Sequence, residues 1–122
     1  MKRNIYKWLK KPEEQDYPAA LSYLSLLYDK RTAKACVKKL KRASASEFKA
    51  KDIFRASALP LLGAGNTHVQ KDRRRIVSGR ALSPLLLIRD SANGKVIIAD
   101  GYHRLCAVYS YNEDAVIPCQ IA

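Results

Sequence analysis

The sequence predicts a mixed α/β fold, an α+β arrangement in which a small mixed sheet carries helical cover and follows a helical N-terminal segment. Three observations carry that prediction. The last third of the chain runs through strand, turn, strand, loop, helix and strand signals. The stretch before it shows apolar residues at three- and four-residue spacing. A chain of 122 residues is long enough for one hydrophobic core and too short for two ordinary domains. The expected organisation is a single domain with a basic arm over residues 1–15, a helical segment over 16–58 packed on the core, and the sheet-containing core over 59–122.

In the arm, Ile5, Trp8 and Leu9 are the side chains able to dock it onto the domain, while Trp8 among basic residues also suits stacking on a nucleic-acid base. From Pro18 onward, Ala19, Leu21, Leu24, Leu27 and Tyr28 line one predicted helix face. Asp29 is placed to cap a second helix whose apolar stripe is Ala33, Cys36, Val37 and Leu40, and the two helices suit an antiparallel pair. Ser44 and Glu47 have capping-box spacing and predict a third helix through Phe48, Ile53 and Phe54 that ends before Pro60. After the loop LPLLGAGNTHV, the polar run VQKDRRRIVSG reads as a helix ended by Gly79. Arg73, Arg74 and Arg75 cover more than half a helical turn, so they do not all reach one ligand. Residues 85–88 and 96–99 are short apolar runs around Ala92-Asn93-Gly94, a hairpin signature. Asp100-Gly101 then breaks the strand, residues 102–111 are helical, and residues 116–121 supply a last strand.

Twenty-three Lys and Arg against eleven Asp and Glu give a net charge of +12 in 13.7 kDa, a field that attracts polyanions. It is lopsided: residues 1–55 hold fifteen basic and six acidic side chains, residues 56–122 eight and five. A nucleotide, DNA or an acidic protein is the partner class this favours. Lys34, Lys38, Lys39, Lys41 and Arg42 surround the second helix's stripe with no acid after Asp29. They suit a nucleic-acid or partner surface, and equally an ordinary solvated face built from good helix formers. No segment approaches the length of a membrane span, so no membrane partner is expected. Cys36, Cys106 and Cys119 are odd in number and widely spaced, which predicts reduced thiols and a cytoplasmic location.

The chemistry concentrates in IIADGYHRLCAV, where an apolar strand stops at Asp-Gly and a helix begins at once with His103 and Arg104 in its first turn. Free amides and the positive end of the helix dipole suit phosphate oxygens there. Gly101 admits close backbone approach, Arg104 offers two donors, and His103 offers another. Asp100 has two roles open to it: capping the helix, or holding a divalent cation that bridges nucleotide phosphates. Cationic side chains are disfavoured at a helix start, so this pair calls for a compensating anion. An Asp-Gly turn with an exposed helix start behind it is the plainer reading of the same residues.

GRALSPLLLI followed by VIIADGYHRLCAV resembles the ParB/sulfiredoxin superfamily, whose members pair a Gly-x-x-x-x-Pro and strand segment with a strand ending in a Gly-x-[His/Arg]-Arg loop. The likeness covers roughly residues 50–122, with Gly79 and Pro84 in the first segment, Asp100 to Ala107 in the second, and Asn66-Thr67-His68 where ParB-like proteins carry a nucleotide-contact stretch. It implies a ParB/sulfiredoxin-like core in which Gly101, His103 and Arg104, with Gly79, Asn66 and His68, contact the phosphates of a nucleoside triphosphate, and Asp100 stands near its Mg²⁺. ParB loops place a metal-holding Glu, and sulfiredoxin its reactive Cys, where this chain has Tyr102. The binding residues persist while both catalytic variants are absent.

The function expected is therefore NTP phosphate binding, with weak hydrolysis an open question. A nonspecific DNA-binding protein or ParB-like nuclease is one alternative, and an interaction module with a basic docking surface is another. The second and third predicted helices show no helix-turn-helix signature, so sequence-specific DNA reading is not expected.

Overall fold

The computed structural model describes residues 6–122. Its elements follow in the order β1 (Lys7–Trp8), α1 (Asp16–Leu27), α2 (Lys30–Arg42), β2 (Ala45–Lys49), α3 (Ala50–Ser57), α4 (Thr67–Val77), β3 (Ala81–Leu82), β4 (Leu85–Asp90), a 3₁₀ turn (Ser91–Asn93), β5 (Lys95–Asp100), α5 (Tyr102–Tyr111) and β6 (Val116–Ile121). The architecture is mixed α/β. The main sheet has the order β2-β6-β4-β5, with β6 parallel to β4 and the other two pairings antiparallel.

The apolar run at 85–88 is buried throughout because strand alternation serves two cores. Leu85 and Leu87 pack with Ile53 of α3, Val69 and Ile76 of α4, and Leu105 and Val108 of α5. Leu86 and Ile88 pack with Tyr17, Ala20 and Leu24 of α1 and Ala33, Val37 and Leu40 of α2. Helices therefore cover both faces of the sheet. The register of β5 against β4 shifts between Leu86 and Leu87, leaving Ala99 as an extra residue on β5 just before the loop of interest.

Several local expectations hold for the reasons the sequence suggested. Asp29 accepts from the Thr32 amide at 2.8 Å and caps α2. Gly79, at φ 75°, ends α4 in a Schellman motif: its amide donates to Ile76 and that of Arg80 to Arg75, at 3.1 and 2.9 Å. The hairpin, α5 and β6 fall where the sequence pattern places them.

Two expectations are corrected. Residues 45–49 form strand β2 and not the opening of a helix, so the capping box is absent and α3 begins at Ala50. Phe48 faces the core while Glu47 and Lys49 are exposed, and β6 offers an unpaired edge, so sheet pairing overrides the local helical signal. The face of α1 is also rotated. Of the five residues predicted to line it, Leu24 is buried, Leu21 and Tyr28 are half-buried, and Ala19 and Leu27 are exposed. The true face is Tyr17, Ala20 and Leu24, because a leucine-rich helix is apolar on more than one side and the sheet selects which side is used. The arm from Tyr6 is docked, in line with the anchoring reading of Trp8. β1 pairs in parallel with β3, and Tyr6 and Trp8 pack on the core, which uses Trp8 as an anchor. Ile5 lies outside the described residues.

Burial on both faces of β4 predicts that Leu85→Ala and Leu86→Ala each lose about 2–5 kcal/mol of stability in urea denaturation, although they point in opposite directions. A near-neutral result for either would mean that its face of the sheet is not covered.

Candidate anion-binding site

The bulged end of β5 delivers the chain to Gly101, which starts α5 at φ 110°. A Cβ at this position would lie 2.7 Å from Leu85 Cγ and 2.9 Å from the Arg104 guanidinium. Glycine is therefore demanded both by backbone conformation and by the close approach of the turn to β4. No side chain caps α5, so its first-turn amides keep their donor capacity.

α4 packs beside α5 and contributes His68, Lys71, Asp72 and Arg75, which recur at helical spacing. Together with residues 100–104 they line a polar cavity of about 170 Å³. The rings of His68 and His103 lie 4.8 Å apart between centroids, and Tyr102 lies 5.6 Å from His103. Burial, reinforced by His68 and Arg104 and opposed by Asp72, holds the His103 imidazole below its ordinary pKa of 6.5. The shift favours the neutral imidazole, because burial penalises the charged form more than Asp72 supports it.

Arg104 is held at the cavity's inner wall. One Nη donates to the Asp100 carboxylate at 3.0 Å and to the Pro84 carbonyl at 3.3 Å, while its buried Nε has no partner. Asp100 thus orients Arg104 and does not cap α5, which corrects one of its two expected roles. Burial raises the Asp100 pKa; Arg104 pulls it down without cancelling the rise, and Asp16 adds to it. A carboxylate already engaged by Arg104 fits a cation poorly. The described residues contain no group of three or more His, Cys, Asp or Glu able to hold a metal ion.

The remaining predicted residues divide. His68 lines the cavity, whereas Asn66 is absent from its lining and caps α4, accepting from the His68 and Val69 amides at 3.0 and 3.2 Å. Gly79 lies at the opposite end of α4 and takes no part in the cavity. Lys34, Lys38, Lys39, Lys41 and Arg42 are exposed on α2, which packs on the other face of the sheet. Lys41 lies over the Tyr17 ring at 5.3 Å.

Sequence reasoning missed Lys71, Asp72 and Arg75 as site residues, although the spacing of 68, 71, 72 and 75 along one helix was a usable signal. The three consecutive arginines separate as geometry demands. Arg75 pairs with buried Asp72 at 3.2 Å, Arg73 bonds Ser110 at 2.8 Å and covers the Tyr111 ring, and Arg74 is exposed. Asp16 and Ser83 were missed because only tertiary packing joins them. Buried Asp16 accepts from the Ser83 hydroxyl and from the Glu13 amide, beside a cavity of about 260 Å³ that Arg75, Arg80 and Arg104 also line.

No family model, curated protein or solved structure matches the chain.

Gly101→Ala should cost about 1–3 kcal/mol, because the added carbon must displace Leu85 or Arg104; an unchanged melting curve would contradict that packing. The His103 shift also has a stability consequence. Its pKa is lower folded than unfolded, so the unfolded chain takes up the proton first as pH falls, and stability drops from about pH 6.5 through the depressed pKa. His103→Gln should flatten that part of the pH profile, as read by thermal melts.

Proposed function

We propose that the protein is a ParB/sulfiredoxin-like nucleotide-binding domain that holds the phosphates of a nucleoside triphosphate beside Gly101, His103 and Arg104. The observation that carries this reading is the convergence of Lys71, Arg75, Arg104 and two histidines on one polar cavity at an uncapped helix start. Asp72 and Asp100 are each already paired with an arginine, so the cavity retains positive character. Any Mg²⁺ would come with the ligand and be held by phosphate oxygens and water.

Binding is favoured over hydrolysis. The Tyr102 hydroxyl donates to the Pro60 carbonyl, an anchoring role, and Cys106 is fully buried with its thiol pushed up by desolvation. Neither is placed as a nucleophile. The three cysteines are free, in keeping with a reducing cytoplasmic setting. No helix among the described residues is long and apolar enough to cross a membrane.

The α2 surface supports a second reading, nonspecific contact with DNA, with a ParB-like nuclease or a module for an acidic protein as its variants. Its five predicted bases are exposed, and the ion pairs of the described residues include none of them.

Calorimetry with ATP, CTP and GTP in the presence of Mg²⁺ tests the first reading. At least one should bind, with affinity falling tenfold or more in Arg104→Ala and in His103→Ala; three silent titrations would overturn it. Binding should also strengthen as pH falls toward the His103 pKa, since protonation adds a charge facing the anion. For the second reading, Lys38→Glu with Lys39→Glu should weaken DNA binding and make its log–log salt dependence shallower by about 0.9 for each phosphate no longer neutralised. Nucleotide binding should survive that change.

A further inference from the structure

We infer that the base of the bound nucleotide occupies a second cavity, on the other side of the turn at residues 100–103, with Tyr23 of α1 as its stacking partner. The inference rests on the phosphate reading above and adds what the N-terminal helical segment does for the site. This cavity measures about 390 Å³ and is walled by Ala19 and Tyr23, Leu59, Ile98 and Tyr102. Most of that wall is apolar, unlike the basic cavity next door.

Continuity is the first argument. Asp100, Gly101, Tyr102 and His103 line both cavities, so the two are separated by a single turn of backbone. A ligand whose charged end lies against His103 and Arg104 directs whatever is attached to it across that turn. A nucleoside has the matching character, a flat aromatic body that seeks apolar walls and stacks on tyrosine.

The walls themselves are the second argument. Ala19 and Tyr23 are four residues apart and share one face of α1, away from the buried face of Tyr17, Ala20 and Leu24. Tyr17 on the buried face is tied down by its hydroxyl to Gln120 at 2.8 Å. Tyr23, by contrast, remains 41% exposed at the cavity's edge, a large ring that the fold leaves half in water. Small Ala19 one turn away leaves the space beside it open. Tyr102, which also lines the cavity, is held by its hydroxyl's bond to the Pro60 carbonyl.

The test uses calorimetry of the full chain with ATP, CTP, GTP, UTP and inorganic tripolyphosphate, each with Mg²⁺. The preferred nucleotide should bind about tenfold or more tighter than tripolyphosphate. Tyr23→Ala, and separately Ala19→Phe, which fills the cavity from its other wall, should bring that nucleotide down to the tripolyphosphate level and leave tripolyphosphate itself unchanged. Both positions are exposed on α1, and unchanged thermal melts would show both variants folded. If wild type binds tripolyphosphate as tightly as every nucleotide, or if both variants keep full nucleotide affinity, the base cavity is overturned while the phosphate site stands. If neither tripolyphosphate nor any nucleotide binds, the phosphate reading fails and this inference with it.

Discussion

The turn at Gly101 must come into van der Waals contact with Leu85, and much of the molecule is arranged around that approach. Leu85 is fully buried on the central strand, packed from the α3–α5 side. The same missing side chain at residue 101 that lets the turn settle on Leu85 also makes room for the Arg104 guanidinium. Core packing and the position of the cavity's inner cation are thus consequences of one close approach. The extra residue Ala99 on β5 lies immediately before this turn, as expected where a strand is re-aimed toward a site.

Charge at the site is managed by pairing. An arginine in the first turn of a helix opposes the dipole, and Asp100, one turn earlier, offsets this by accepting from it. On the neighbouring helix Asp72 accepts from Arg75, which lies in the last turn, where the dipole itself favours a cation. These pairs leave the guanidiniums charged and fixed, but not neutralised as a group, since Lys71 and the histidines stand in the same cavity. Burial is the main reason the His103 pKa lies low, with His68 and Arg104 adding to the shift and Asp72 opposing it.

Two sources of positive charge lie on different faces of the fold. The cavity sits among residues 68–104, whereas the α2 lysines project from a helix packed on the opposite side of the sheet. The α2 share of the basic charge therefore lies on a surface separate from the pocket.

Much of the site was legible in the sequence because its core is local. The DGYHR segment, the strand before it and the helix after it are contiguous, and their order alone places amides, Gly101, His103 and Arg104 together. The helix cap at Asp29 and the stop at Gly79 are likewise short-range, set by side chains and dihedrals within a few residues. What lies in β2, in the rotated face of α1, and in the companionship of Asp16, Ser83 and Arg75 was decided by the tertiary structure. Residues 45–49 satisfy either a capping box or an edge strand, and the waiting edge of β6 chooses the strand. A leucine-rich helix can bury several faces, and the sheet chooses one. Sequence determines which groups a short segment can present, whereas only packing brings groups from distant segments within reach, because their meeting depends on the shape of the shared core.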